Sequence, residues 1–179
     1  ISLGLVGSEM CIRDRLEELP RLLSVPVNET EHLVVHADAD WARRALVLRG
    51  GRERVIAAKR RLHLACGPLL VPGLVAGPGA PTRRALDLIE AFTEPLGREL
   101  PGCGERLYFT REKAERRRVA NEVEIWAMLE DRGFAKVPLE DLSWVEQIAA
   151  CRRARVVVAP HGAGLANLAF CAPGTRVLE

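Results

Sequence analysis

The sequence predicts an α/β fold in which a parallel sheet carries helices on both faces. Three observations lead there. From Arg106 onward, short apolar runs alternate with stretches of helical length: Arg106-Leu107-Tyr108-Phe109-Thr110, then Phe134 to Pro138, Arg155-Val156-Val157-Val158-Ala159 and Arg176-Val177-Leu178. An order β-α-β-α-β-α-β implies parallel strands joined by right-handed crossovers. The intervening stretches carry helix-start signals, Ser143-Trp144-Val145-Glu146 as a full capping box and Asn121 with Glu124 as a similar arrangement. Finally, the stretch from Arg155 to Leu168 reads as a buried strand, a tight small-residue turn with one histidine, and a new helix. Such a junction presents unpaired backbone N–H groups and a positive dipole end, which together make an anion site.

Taken in order, the chain begins with Ile1 to Arg15, which resembles a translated sequencing adapter and is set aside as non-native. There is no initiator Met and no basic n-region, so it does not fit a signal peptide. Leu16, Leu19, Leu22 and Leu23 recur at helical spacing, and Pro20 is expected to keep that helix short. His32 to His36 reads as a strand. Asp40 to Leu48 reads as a helix capped by Asp40 and closed by Gly50-Gly51. Arg54-Val55-Ile56 and Leu69-Leu70-Val71 are strand candidates, and Gly73 to Pro81 is a loop. Thr82 can cap a helix over Arg83–Phe92. The Gly- and Pro-rich stretch 95–105 is expected to be a linker between a partial domain at 16–94 and a second at 106–179. In that second part, Glu122, Ile125, Trp126 and Leu129 share one helical face. A helix over Trp144–Arg153 and another over Ala163–Cys171 complete the pattern.

Composition narrows the function. Of 179 residues, 48% are apolar, yet no run is long enough for a membrane span. The net charge of +2 gives no general field for nucleic acid. Lys59, Lys113 and Lys136 are the only lysines among many arginines, a bias that suggests a GC-rich, bacterial coding sequence. Cys11, Cys66, Cys103, Cys151 and Cys171 form no Cys-x-x-Cys pair, so zinc is not expected. A reducing, cytoplasmic compartment fits them, with Cys151 and Cys171 as core residues. Trp126 and Trp144 are also expected in the core. His32, His36, Asp38 and Asp40 cluster in sequence, but their spacing matches no ligand signature. No Gly-x-Gly-x-x-Gly is present, and no Gly-x-x-x-x-Gly-Lys-Ser/Thr. The first absence argues against a Rossmann-type oxidoreductase or methyltransferase. No Asp-x-Asp follows a strand, so a metal is not indicated.

In parallel sheets, ligands sit beyond the carboxyl ends of the strands. Three such ends carry chemistry here: Arg111, the turn His161-Gly162-Ala163-Gly164, and Glu179. An arginine and a helix N-terminus suit phosphates; a carboxylate suits ribose hydroxyls. Each has a plainer reading. His161 can cap its strand, Arg111 and the run Arg116-Arg117-Arg118 can be surface charge, and spacing alone does not decide the role of Glu179.

The motifs Tyr108-Phe109-Thr110-Arg111, Arg117-Arg118-Val119-Ala120-Asn121-Glu122, Gly133-Phe134, Leu142-Ser143, Glu146-Gln147, Pro160-His161-Gly162-Ala163-Gly164-Leu165-Ala166-Asn167 and Pro173-Gly174-Thr175 resemble the catalytic domain of glycosyltransferase family 61. The resemblance implies a GT-B-like, Rossmann-type fold, incomplete here, with 16–94 on the acceptor side and 106–179 binding a nucleotide-sugar donor. It implies an inverting transfer to a glycan or polysaccharide acceptor without an obligatory metal or other cofactor, in the cytoplasm or at the inner membrane face. On the donor side it implies Arg111, Arg117, Asn121, His161, Gly162, Ala163, Gly164, Asn167 and Glu179. The family's aromatic-His-Trp segment, the expected source of a general base, falls where Arg13-Asp14-Arg15 stand. The base is therefore expected to be missing upstream of Leu16, with His161 a weaker substitute, and the chain as given to be inactive and cut at both ends. A non-catalytic nucleotide-binding module is the alternative.

Overall fold

The computed structural model describes residues 12, 14–26, 29–35, 40–50, 55–58, 61–73, 76–77, 80–114 and 118–179. Its centre is a four-stranded parallel sheet of β5 (Arg106–Phe109), β6 (Ala135–Val137), β7 (Val156–Val158) and β8 (Arg176–Leu178), in the spatial order β6-β5-β7-β8. The register pairs Leu107 with Ala135 on one side and with Val157 on the other, and Val157 with Val177. The predicted α/β class with a parallel sheet is thus observed, as a partial Rossmann-like fold. From β5 the chain goes one way to β6, then crosses back over β5 to β7. The direction of winding reverses between β5 and β7, so the topological switch point lies there.

Helices α4 (Glu122–Glu130) and α5 (Trp144–Arg153) make the two crossovers. Ser143 opens α5 with both halves of the expected capping box: its hydroxyl accepts from Glu146 N–H, and the Glu146 carboxylate accepts from Ser143 N–H at 2.7 Å. Trp144, Gln147, Ile148 and Cys151, spaced i, i+3, i+4, i+7, form its buried face. The expected capping box at Asn121 does not form. Asn121 has φ −111° and ψ 39°, not the extended conformation of a cap, and its side-chain amide turns to Glu124 at 3.4 Å.

The earlier part of the chain is helical with a small sheet. A π-helical turn, Asp14–Glu18, runs into α1 (Leu19–Ser24). As expected, this helix is short, six residues, with Pro20 in its first turn, where a missing N–H costs nothing. The Arg49 guanidinium, whose pKa is pushed down by burial, donates to the carbonyls of Leu22, in the last turn of α1, at 2.5 Å and of Val25, just beyond it, at 2.9 Å. Strand β1 (Leu33–Val35) pairs in parallel with β2 (Val55–Ala57) across helix α2 (Asp40–Leu48). The expected loop 73–81 holds a minimal antiparallel ladder of β3 (Ala76–Gly77) and β4 (Ala80–Pro81). Leu69–Val71 is not a strand; its residues are 55–71% exposed and pair with nothing among the described residues. Thr82 caps α3 (Arg83–Thr93) by accepting from Ala85 N–H at 3.2 Å.

One apolar core runs through both parts, from Leu19, Leu22, Ala45 and Ile89 to Leu107, Ile148, Val157 and Phe170. Trp144 joins them, stacked with Phe92 of α3 at 6.2 Å and edge-on to Phe170 at 6.5 Å. The stretch 95–105 lies against α5. Gly97, with φ +69°, approaches so closely that a Cβ there would stand 2.9 Å from the Ala149 methyl. Arg153 donates to the Arg98 carbonyl at 3.0 Å.

Candidate functional site

Strands β5, β7 and β8 all end on one edge of the sheet, so the residues just after them are neighbours. Arg111 follows β5, the turn 161–164 follows β7, and Glu179 follows β8. Behind Arg111 the strand end is locked to α4. Tyr108 and Thr110 point to the same side, as the two-residue period requires. Both hydroxyls donate to one oxygen of Glu122, Tyr108 at 3.0 Å. Burial, with the Glu122 hydrogen bond second, holds the Tyr108 phenol well above its ordinary pKa. Tyr108 also stacks on Trp126, 6.3 Å between centroids, and the Lys136 ammonium lies 5.8 Å over that indole. Glu122 belongs to the sequence motif but was not expected in the site. The signal was present, since two hydroxyls two residues apart on a strand call for a shared acceptor.

At the switch point, the Arg111 guanidinium lies directly over Gly162. A Cβ on Gly162 would collide with Arg111 Nη1, and nothing else besides that guanidinium lies within 4 Å of it. Gly162 has φ 161° and ψ −178°, extended backbone that any residue adopts, so close approach and not strain calls for glycine here. Gly164 is also confined, its would-be Cβ 3.0 Å from Leu139 Cδ1. The segment after the turn is a 3₁₀ helix, Ala163–Phe170, and not the α-helix expected over Ala163–Cys171. Gly162 at its N-cap and Gly164 in its first turn have little α propensity. The first turn closes with Leu165 N–H on the Gly162 carbonyl at 3.1 Å. The N–H groups of Ala163 and Gly164 therefore precede the first helical bond. The small-residue turn keeps its donors, but without the macrodipole of a long α-helix.

His161 is exposed, and its Nδ1 bonds the carboxylate of Glu179. With Nδ1–H as donor, Nε2 remains available to a ligand. Asn121 is exposed at the start of α4. Arg117 lies outside the described residues, as do His36 and Asp38. Asn167 is 0% exposed and turned inward. Its Oδ1 accepts from the Arg15 guanidinium, which also donates to Gln147 Oε1 at 2.6 Å and lies 5.8 Å over the Phe170 ring. Gln147 in turn donates to the carbonyls of Leu139 at 2.8 Å and Leu142 at 2.9 Å. This buried network supports the 3₁₀ helix from inside. Arg15, set aside with the first residues on sequence grounds, is only 1% exposed and sits at its centre. Gln147 was the available clue: a polar residue on the buried face of an amphipathic helix needs an interior partner.

A parallel sheet with an arginine, a glycine turn and a His–Glu pair gathered at its carboxyl edge makes this an α/β protein of partial Rossmann-like form. The glycosyltransferase 61 family model matches residues 15–178, and the chain belongs to this family. It is a glycosyltransferase, acting on sugar donor and acceptor substrates. A search of curated proteins gave no match. Among the described residues, no helix is long and apolar enough to cross a membrane.

Proposed function

We propose that the chain takes a sugar from a nucleotide-sugar donor to a glycan or polysaccharide acceptor, with inversion and without an obligatory metal. The edge between β5 and β7 holds the donor diphosphate. The observation that carries this reading is the Arg111 guanidinium seated on Gly162 at the switch point. A guanidinium fork beside unpaired N–H groups suits two adjacent phosphates, and both kinds of donor stabilise the charge that grows on the departing nucleoside diphosphate. Glu179 accepts from the ribose hydroxyls and holds His161 so that Nε2 faces the phosphates. Asn121 and Arg117 extend the donor side, and Asn167 acts by holding the 3₁₀ helix in place. A bacterial polysaccharide pathway and a cytoplasmic location, at the inner membrane face where nucleotide sugars are at hand, go with this reading. His161→Ala is expected to lower donor binding about 10-fold or more, the worth of one charge-assisted hydrogen bond. Unchanged binding would remove His161 from the site.

One observation favours a second reading for this chain taken alone. Where the family resemblance puts a histidine-bearing segment, the residue in the core is Arg15. A guanidinium stays protonated and cannot deprotonate an acceptor hydroxyl. In this second reading the chain binds the donor without transferring its sugar. Release of nucleoside diphosphate from a nucleotide sugar in the presence of chain and acceptor would contradict it.

A further inference from the structure

Arg111 is the first residue beyond the sheet. Thr110 N–H bonds the Val137 carbonyl at 3.2 Å, extending the β5–β6 ladder, and the chain then turns, with Ala114 N–H on the Arg111 carbonyl at 3.0 Å. A short turn has several backbone conformations within reach, so a guanidinium carried on it needs outside ties to stay in one place. Those ties are present. Thr110 is buried, and its hydroxyl has one proton, which goes to Glu122 of α4. A lone pair of the same oxygen is thereby left for the Glu112 N–H, which it accepts at 3.1 Å. This second bond runs from residue 110 to residue 112 and closes a small ring around the Arg111 backbone. The rest of the turn is tied by ion pairs: Glu112 with Lys136 of β6 at 2.5 Å, and Lys113 with Asp141 of the 3₁₀ turn Leu139–Asp141 at 2.5 Å. These pairs are more open to water, and each contributes little.

We propose that Glu122 is a positioning residue for Arg111 and acts through the Thr110 hydroxyl. The inference rests on the reading of Arg111 as a ligand of the donor diphosphate. A threonine turn of this kind is weak by itself, because the hydroxyl is a free rotor. Glu122 removes that freedom. A carboxylate is a stronger acceptor than a neutral group, and it takes the only proton the hydroxyl has. The Tyr108 hydroxyl donates to the same Glu122 oxygen at 3.0 Å and keeps the carboxylate over β5. With the Thr110 oxygen so oriented, the Glu112 N–H is held, and with it the two backbone torsions of Arg111 that lie between them. The guanidinium at the end of that side chain then lies over Gly162. A long side chain magnifies any change in its own backbone torsions, and about an ångström of displacement is enough to lose a productive geometry. Glu122 thus sets the place of a phosphate donor from behind the strand, as an outer partner sets the orientation of an inner one.

The test is calorimetric titration of the full chain and its variants with uridine, adenosine, guanosine and cytidine diphosphates, with a thermal melt of each sample. Thr110→Val keeps the β-branched shape and deletes both bonds of the hydroxyl. Its affinity for the diphosphate that the wild type binds most tightly should fall about 10-fold or more. Thr110→Ser drops the methyl and keeps the hydroxyl, and should recover most of that loss. Glu122→Ala should match Thr110→Val, and Glu122→Gln, whose amide oxygen still accepts, should lie between Glu122→Ala and the wild type. The Thr110 pair decides alone where Glu122→Ala does not melt cooperatively. A role in packing only would make affinity follow the melting temperature and not the hydroxyl. Wild-type affinity in Thr110→Val, or equal losses in Thr110→Val and Thr110→Ser, would overturn the positioning role and leave the donor reading standing. A wild type that binds none of the four diphosphates would remove both.

Discussion

Replacing Gly162 by alanine tests whether the Arg111 guanidinium is seated as a ligand. The new Cβ would overlap Arg111 Nη1 and lie 3.4 Å from Cζ, with no other atom in range. Recovering an ordinary separation of about 3.5 Å moves the guanidinium by roughly an ångström. A shift of that size breaks fork geometry on a phosphate, and a charge-assisted hydrogen bond is worth about 1.5–3 kcal/mol. The affinity for nucleoside diphosphate should therefore fall about 10- to 100-fold. Stability should not fall with it. The Gly162 backbone is extended and suits alanine, and losing glycine freedom in the unfolded chain favours folding by about 0.4–1 kcal/mol. Calorimetric titration and thermal melting on the same samples separate the two effects. In the Arg111→Ala background, the Gly162→Ala step should cost no further affinity, since the two changes act through one contact. Undiminished affinity in Gly162→Ala, or an equal further loss in Arg111→Ala, would refute the seat.

Other consequences concern the supports of the site. Because the Tyr108 phenol is held above its ordinary pKa, the native state keeps a proton that the unfolded chain loses. Its contribution is complete below pH ~10 and declines as pH rises further. Denaturant melts of Tyr108→Phe should thus be less pH-dependent above pH 10 than those of the wild type; equal slopes would contradict a Tyr108 phenol kept protonated by its burial and by Glu122. Ser143→Ala removes the box at the start of α5 and should cost about 1 kcal/mol, read as a melting point lower by about 2–4 °C. Gln147→Leu leaves the carbonyls of Leu139 and Leu142 and the Arg15 guanidinium without this partner. It should cost several kcal/mol, at about 1–3 for each buried group. A loss under 1 kcal/mol in urea melts would show that water reaches the network.

Much of the sheet was legible because its strands are short runs of Leu, Tyr, Phe and Val bounded by charges and glycines. Their parallel arrangement followed from the helices between them. Local chemistry placed the starts of α3 and α5, since Thr82 and Ser143 act on neighbours three residues away. The failures came where distant parts decide. Leu69-Leu70-Val71 is as apolar as a strand, but a strand exists only with a neighbour, and none of the described residues pairs with it. Asn121 carried the residue types of a cap but not the backbone. The 3₁₀ helix after Gly162 was read as α because spacing alone does not separate the two in so short a segment. In the site, the strand-end positions of Arg111, His161 and Glu179 were readable. The seat of Arg111 on Gly162 and the buried Arg15–Gln147–Asn167 network were not, because each joins residues far apart in sequence. Arg15 was the hardest, since a guanidinium in the core runs against every composition rule unless its partners are known.

The central claim is that the β5–β7 edge is a diphosphate pocket. Titrating the chain with a panel of nucleoside diphosphates, with a nicotinamide dinucleotide and S-adenosylmethionine as comparators, tests it most directly. The account predicts that at least one nucleoside diphosphate binds, that the comparators do not, and that Arg111→Ala abolishes the binding while the protein still melts cooperatively. Binding that survives Arg111→Ala, or a chain that prefers the comparators, would contradict it.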